Sequence, residues 1–291
     1  MLPSGLEPSQ TYIRILMSAL TDVDFEEFSE PKFKYKRIQN DLAKIFVNDA
    51  ASCLVVHSKF LAVGTQRGRV YVFDHAGNKI SGNNIPPHAV DVNQISIDTS
   101  GEYLASCAND GKIVVHGLCG SSDFSQIVTT DRPIKSVALD PNFGRFGSGQ
   151  IFVTGDRCLT LHEKGLLGSN RQSIIYDGKE RDGWIHAISW QVMFLVGFVF
   201  KFWLGNFLTG VYVLFGNETG VRLFDKSQKL IITHVSRRHD FALRSELYPA
   251  RLIWFNDHSF AIGWADRVTV CSIKENRNFG PTLLNAAAKM L

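Results

Sequence analysis

Few residues in this sequence combine the types and the spacing that chemistry at a protein site requires. His116 and Cys119 lie three positions apart, but no second pair of ligands follows at the spacing of a zinc site. Gly144–Gly155 is rich in glycine, yet it lacks the Gly-Lys-Ser/Thr of a phosphate-binding loop and leads into a strand pattern. The sequence contains no G-x-S-x-G nucleophile elbow. We therefore predict that the chain is not an enzyme and has no catalytic, cofactor-binding or metal-binding residues.

The cysteines, the one glycosylation triplet and the charge balance also give no sign of a disulfide framework, a modification site or a nucleic-acid site. The five cysteines are scattered and form no C-x-x-C pair, so we expect a reducing compartment rather than a disulfide framework (Cys53, Cys107, Cys119, Cys158 and Cys271). Asn217-Glu218-Thr219 matches a glycosylation acceptor, but it occupies a predicted hairpin turn and one such triplet arises by chance. The 31 Lys and Arg against 28 Asp and Glu give a net charge of +3 without a dense basic stripe. This balance argues against a nucleic-acid partner.

The elements that would position any site are short strands in a repeating order. Ile95–His116 reads as three apolar strands separated by turns at Ser100-Gly101 and Asn109-Asp110-Gly111. Asp-Gly between two apolar runs is a strong hairpin signal, because glycine tolerates the positive φ that a type I′ turn needs. Three short strands cannot bury a face alone, so they require neighbours. The chain supplies near-copies at Phe60–Asp74, Ile151–Glu163, Tyr212–Asp225 and Phe260–Ile273.

The copies recur at the period of propeller blades. Five equivalent positions give spacings of 43, 45, 63 and 47 residues (Val70, Ile113, Cys158, Val221 and Val268). We predict an all-β fold, an incomplete WD-type β-propeller of about five blade-like repeats over residues 31–277. A β-sandwich with evenly spaced strands is the alternative. Three connectors are predicted as surface loops between blades, where partners are met (Gly77–His88, Gly117–Arg132 and Glu163–Gly183).

Both ends of the chain lie outside the repeats. Residues 1–30 are predicted to be a disordered tail, and residues 278–291 a divergent C-terminal tail. Asp22–Glu30 contains five acids interleaved with Val23, Phe25 and Phe28. This run is either an acidic-aromatic peptide offered to a partner or a solvated tail that leads into the first strand.

One segment breaks the repeat. Val192–Phe215 is almost wholly apolar, with Lys201 its only charge, and it is long enough to span a bilayer. It also accounts for the long spacing of 63 residues between Cys158 and Val221. Removing the 18 residues Val192–Thr209 restores the sequence of an ordinary blade. We therefore interpret residues 192–209 as a foreign insertion, hypothetically the translation of an unremoved non-coding segment. A single-pass membrane anchor over residues 192–215 is the alternative.

Several motifs together resemble one known family. They are Glu30–Ile38 (EPKFKYKRI), Asp49–Cys53 (DAASC), Lys59–Thr65 (KFLAVGT), Val92–Asp98 (VNQISID), Phe152–Gly155 (FVTG) and Val268–Glu275 (VTVCSIKE). These motifs resemble the N-terminal propeller of the vacuolar protein sorting-associated protein 41 family, a subunit of the HOPS tethering complex. The chain lacks the Gly-His and Trp-Asp dipeptides of typical WD repeats. The family's propeller is followed by a helical solenoid and a RING-type zinc domain, so we expect the chain to be a fragment or the product of a truncated gene model.

The resemblance implies a function that the residues alone do not. It implies a non-enzymatic scaffold that helps tether late endosomes, autophagosomes and vesicles to the lysosome or vacuole. The implied partners are the other HOPS subunits, a small Rab-type GTPase or its effector, and an adaptor complex. The implied location is cytoplasmic, peripheral on late endosomal or lysosomal membrane.

Overall fold

The computed structural model describes residues 34, 35, 37–118, 124–145, 149–164, 169–192, 212–237, 247–265 and 267–273. The chain divides into two compact units, Met1–Arg37 and Ile38–Leu291. The two predicted tails, 1–30 and 278–291, and the acidic run Asp22–Glu30 lie outside the described residues. Their structural assignment therefore stays a prediction, and the fold below is that of the second unit.

The described part of the second unit is built almost entirely from antiparallel strands in five sheets. Sheet 1 contains β1 (Ala51–Val56), β2 (Leu61–Thr65) and β3 (Val70–Phe73). Sheet 2 contains β4 (Val92–Ile97), β5 (Tyr103–Ala108), β6 (Lys112–Gly117) and β7 (Ser125–Thr129). Sheet 3 contains β8 (Ser136–Leu139), β9 (Phe152–Gly155), β10 (Leu159–Lys164) and β11 (Asn170–Tyr176). Sheet 4 contains β12 (Ala187–Trp190), β13 (Tyr212–Asn217), β14 (Gly220–Asp225) and β15 (Leu230–Ser236). Sheet 5 contains β16 (Arg251–Trp254), β17 (Ser259–Gly263) and β18 (Val268–Ser272).

Each sheet is one blade of a β-propeller. Within every sheet the strands pair in chain order as a meander, and the core lies between successive sheets rather than within one. The one described α-helix, α1 (Asp41–Ile45), packs on the outer face of blade 1, and a 3-10 turn (Glu180–Asp182) precedes blade 4. The predicted all-β propeller with five repeats is confirmed.

The repeat positions are those expected from the sequence, with one shift. In blades 1 and 2 the third strand begins by pairing Val70 with Gly64 and Ile113 with Cys107. In blade 3 the residue paired at this position is Leu159, opposite Gly155, and not Cys158. The turn there is shorter, which moves the equivalent position by one residue.

Neighbouring blades approach one another closely at a glycine on the second strand of blades 1 and 3. A Cβ added to Gly155 would lie 2.4 Å from Ser136 Oγ and 2.8 Å from Ile185 Cγ2, at the entry to the next blade. A Cβ added to Gly64 would lie 2.8 Å from Val92 Cβ. These distances leave no room for a larger side chain. Cys107, Gly216 and Gly263 occupy the same position in the other blades.

Hydrogen bonds reinforce this contact between blades. Ser52 Oγ donates to the carbonyl of Val92 at 2.7 Å, from blade 1 to blade 2. Asn93 Nδ2 donates to the carbonyl of Ile134 at 2.6 Å, from blade 2 to blade 3. Ser136 Oγ donates to the carbonyl of Ile185 at 2.6 Å, from blade 3 to blade 4. The first strands of the described blades are thereby held side by side around one axis.

For two of the three predicted connectors, the prediction of a loop was wrong in part. Gly117–Arg132 and Glu163–Gly183 were expected to be loops, but they contain the outermost strands β7 and β11. The first five residues of β11 are exposed, so this strand buries too little apolar surface to show a clear pattern in the sequence.

The apolar segment interrupts blade 4 between its first two strands. Gln191 N donates to the carbonyl of Tyr212 at 2.9 Å, directly beyond the last ladder pair, Trp190 with Val213. The hairpin is therefore closed at its base, whatever its connection contains. Residues 193–211 lie outside the described residues, so the insertion over 192–209 stays a proposal.

The membrane-span alternative over residues 192–215 is not favoured. Its last residues, Tyr212–Phe215, belong to β13 and pair with two neighbouring strands. Among the residues that the structure describes, no helix has the length and apolar character needed to cross a bilayer.

The outward faces of the first and fifth blades are apolar. On blade 1, Leu54 and Val56 are 61% and 66% exposed, beside the patch that α1 covers. On blade 5, Ile253, Val268 and Val270 are 56%, 69% and 59% exposed. The opposite faces of both sheets are buried against their neighbours, so each of these two blades packs against another blade on one side only within the described residues.

Deleting Val192–Thr209 is expected to raise both the soluble yield and the unfolding temperature. The deletion leaves Gly210-Val211 between the paired residues Gln191 and Tyr212. Glycine at the first position of a two-residue connection suits a type II′ hairpin turn. Loss of an apolar run that favours aggregation should raise the yield. The measurements are the soluble fraction after expression and the melting temperature by circular dichroism.

A matched deletion of the 18 residues 195–212 serves as control, because it removes Tyr212 from β13. We expect this control to be less stable than the first deletion. Equal or lower stability of the Val192–Thr209 deletion relative to the full chain would show that the segment packs natively.

Candidate functional site

Residues in or directly before the first strands of the five blades line one axial cavity. Its volume is about 850 Å³, and its walls come from β1, β4, β12 and β16 and from the residues that lead into β8, β12 and β16. A cavity of this size is in the range of ligand and peptide sites in proteins.

The walls of this cavity are cationic. Its basic lining residues are Lys135, His186 and Arg251, and no aspartate or glutamate is among the lining residues. Lys135 and His186 occupy the same repeat position, directly before the first strand of blades 3 and 4. Arg251 is the first residue of β16 and is exposed. The geometry therefore favours a negatively charged ligand.

An aromatic side chain stands beside the cavity wall. The half-buried Trp184 ring lies 5.3 Å from Lys135 Nζ and 5.1 Å from Arg157 Cζ, so it is flanked by two cations. Lys135 Nζ also donates to Asn109 Oδ1 at 2.9 Å. These contacts orient the Lys135 ammonium without neutralising it, because both neighbours are uncharged.

A second group of side chains resembles a nucleophilic triad. His88 Nε2 lies 2.8 Å from Ser106 Oγ, and His88 Nδ1 lies 3.5 Å from Asp110 Oδ1. Sequence reasoning missed this group, because Pro87-His88 stands where a typical WD repeat has Gly-His. The signal that could have found it is a histidine before a blade, followed by a serine on its second strand and an aspartate in its next turn.

Because this triad is buried, its role is to stabilise the fold rather than to act on a substrate. Ser106 is 0% exposed and His88 is 4% exposed, so no substrate can reach the hydroxyl. Burial lowers the pKa of His88, and the nearby Asp110 carboxylate opposes this effect only partly. The backbone N–H of His88 donates to the carbonyl of Gly68 in blade 1 at 2.9 Å. The group thus ties the turn of one blade to the strand and turn of the next.

The structure also places His116 and Asn217, two further residues that the sequence singled out. His116 lies on β6 and is buried, and its ring nitrogens make no hydrogen bond within the described residues. Cys119 lies outside the described residues, and the described part of the chain holds no group of three or more potential metal ligands. Asn217 is buried at 4% exposure, and its side-chain oxygen accepts from Thr219 N and Arg222 Nη1, so it is not presented for glycosylation.

Gly144–Gly155 forms no phosphate-binding loop in its described residues. Gly144 lies against the Tyr103 ring, Phe152–Gly155 is β9, and residues 146–148 lie outside the described part. Strand β10 then carries His162, whose ring stacks on Phe152 at 4.4 Å between centroids with an angle of 3°. His162 Nε2 lies 2.8 Å from Thr154 Oγ1. Burial lowers the pKa of His162 to about 4, so the ring is neutral at physiological pH.

Comparison with protein families supports one assignment over most of the chain. The Vps41 propeller model, described as "Vps42 beta-propeller", matches residues 33–197 and 207–289. The match is interrupted at residues 198–206, inside the predicted insertion.

Curated relatives agree with the family model. The chain is 38% identical over 246 residues to the vacuolar protein sorting-associated protein 41 homolog of Homo sapiens, covering 84% of this chain and 26% of that protein. The Danio rerio homolog is 36% identical over 264 residues, covering 90% of this chain and 28% of that protein. The Schizosaccharomyces pombe protein is 24% identical over 253 residues, covering 86% of this chain and 26% of that protein. The chain thus spans about a quarter of the length of the curated relatives it matches.

A solved structure shares the fold. The β-propeller domain of Cps50 (Swd1) from Myceliophteria thermophila superposes with a TM-score of 0.58 at 14% sequence identity. The superposition covers 83% of this chain and 70% of that chain. At this identity the likeness supports the propeller fold alone.

Replacing Ser106 by alanine is expected to destabilise the fold by about 1–3 kcal/mol, because His88 Nε2 would remain buried without its partner. His88→Ala should cost at least as much, since it also removes the contact with Asp110. Ser125→Ala, at an exposed position on the outer strand β7, is the control and should change stability by less than about 0.5 kcal/mol. Urea unfolding monitored by circular dichroism measures all three. Equal effects of Ser106→Ala and Ser125→Ala would contradict a structural role for the triad.

Stability is expected to fall as the pH is lowered from 7 to 4. The pKa of His162 is about 4 in the folded chain against about 6.5 for an unperturbed histidine, so the unfolded state binds the proton first as the pH falls. The stability that depends on a neutral His162 is fully present above pH 6.5. The free energy of unfolding then falls by about 3 kcal/mol in total as the pH is lowered toward 4. His162→Gln should flatten this dependence, whereas His75→Gln at an exposed position should leave it unchanged. Urea unfolding at a series of pH values measures the slope, and an unchanged slope in His162→Gln would contradict the assignment.

Proposed function

This chain belongs to the Vps41 β-propeller family, and on that premise we propose that it is a non-enzymatic binding module in protein sorting to the vacuole or lysosome. The observation that carries the proposal is the family match over residues 33–197 and 207–289. The names of the relatives, which are vacuolar protein sorting-associated proteins, support the sorting role.

The geometry supports binding rather than catalysis. The group that most resembles a catalytic site, Ser106 with His88 and Asp110, is enclosed and is used to join blades 1 and 2. The axial cavity combines cations with neutral walls and, in its lining, no carboxylate that could serve as a general acid or base. Such a site can hold a ligand but lacks the paired groups that most hydrolytic chemistry needs.

The finer role that we propose is tethering. The chain would act within a HOPS-type complex that joins late endosomes or autophagosomes to the lysosome or vacuole. Its partners would be other HOPS subunits, a small Rab-type GTPase or its effector, and an adaptor complex. It would be a cytoplasmic protein bound peripherally to late endosomal or lysosomal membrane. No nucleic acid is expected among its partners, because the net charge is only +3.

Affinity purification of the full chain tests this proposal. A tagged chain, with and without Val192–Thr209, is expressed in cells that have an intact sorting machinery. We expect HOPS subunits, with a small GTPase or an adaptor subunit, to co-purify, and carbonate to release the chain from membranes. Gly155→Val is the control, since its side chain would collide with Ser136 and Ile185 between two blades, and it should recover none of these proteins. A chain that binds no sorting factor and remains in carbonate-washed membranes would contradict the proposal.

A further inference from the structure

We propose that the axial cavity is a docking site for an extended acidic segment of a protein partner. The inference rests on the proposed function only in making the chain a binding module. The inference is argued from the lining of the cavity, from the pairing of two nearby arginines with carboxylates, and from the Trp184 side chain beside the cavity wall.

The cations of the cavity lack opposite charges. Arg251 is exposed and forms no ion pair within the described part of the chain. Lys135 contacts the neutral groups of Asn109 and Trp184 instead of a carboxylate. A cation in a concave site with a low-dielectric wall attracts a carboxylate more strongly than one on an open surface. The cavity therefore presents a positive potential that nothing in its lining cancels.

Two arginines near the cavity are, by contrast, paired with carboxylates. Arg132 Nη1 lies 3.3 Å from Asp156 Oδ2, and Arg157 Nη1 lies 3.6 Å from Glu180 Oε1. Asp131 and Glu180 are exposed beside them. Arg132 and Arg157 therefore add little positive charge beside the cavity, and the unpaired cations of the lining are Lys135 and Arg251.

This distribution selects the shape of the ligand. A flat anionic surface, such as a lipid bilayer, cannot enter a concave site, and Lys135 in its lining is only half exposed. An extended peptide is narrow enough to enter a cavity of about 850 Å³ and place its carboxylates on these cations. The half-buried Trp184 provides an aromatic contact for an apolar residue of the same peptide.

Fluorescence anisotropy with the full chain tests the site. The probe is a labelled peptide of about twelve residues of Asp, Glu and Phe, and its control carries Asn and Gln in place of the acids. We expect only the acidic probe to bind, more weakly at about 300 mM than at about 50 mM NaCl because exposed charges are screened. Lys135→Glu and Arg251→Glu should each weaken binding by about tenfold or more.

Arg145→Glu is the matched control, because it makes the same charge change at an exposed position on the connection between β8 and β9, at the other end of blade 3. We expect it to bind like the unaltered chain, and circular dichroism verifies that every variant is folded. Equal effects of Arg145→Glu and Arg251→Glu would overturn the proposal. So would binding to vesicles that contain anionic lipid, lost in Lys135→Glu and Arg251→Glu, without binding of the peptide. Neither result depends on any sorting subunit, so the site and the proposed function can fail separately.

Discussion

The close contact between the second strand of one blade and the entry to the next is the constraint on which this fold depends. A three- or four-stranded sheet cannot bury both faces by itself, so each blade is stable only against a neighbour. At Gly64 and Gly155 the next blade is too near for any side chain beyond hydrogen. The same approach lets Ser52 and Ser136 donate to carbonyls of the following blade. Because this contact repeats, the first strands converge on one axis and the cavity follows from it.

Much of the fold could be predicted from the sequence, because its inner strands are apolar and its turns contain glycine. The turn at Asn109-Asp110-Gly111 has Gly111 at φ 75°, as expected for a hairpin between β5 and β6. The outer strands β7 and β11 were missed, since an edge strand with one exposed face has no strong apolar pattern. The one-residue error at Cys158 arose because turn length varies between blades while the pairing does not.

The site could not be predicted in the same way. Lys135, His186 and Arg251 belong to three blades, and only the ring arrangement brings them to one cavity. Each is an ordinary charged or polar residue at the start of a strand, where a solvated position is the simplest interpretation of the sequence. The His88 group was hidden for a different reason, since its members are spread over a loop, a strand and a turn. Its physical role, hydrogen bonding in a buried place, is visible only from distances.

The closed base of the blade 4 hairpin makes this turn tolerant of changes in length. Gln191 and Tyr212 pair directly, and 20 residues of the sequence connect them where two would suffice. The entropy of closing a connection rises only with the logarithm of its length, and this difference amounts to about 2 kcal/mol. A change in gene structure that lengthens the chain at this turn therefore meets little resistance from the fold. The same property makes the turn suitable for grafting a reporter domain whose own termini lie close together.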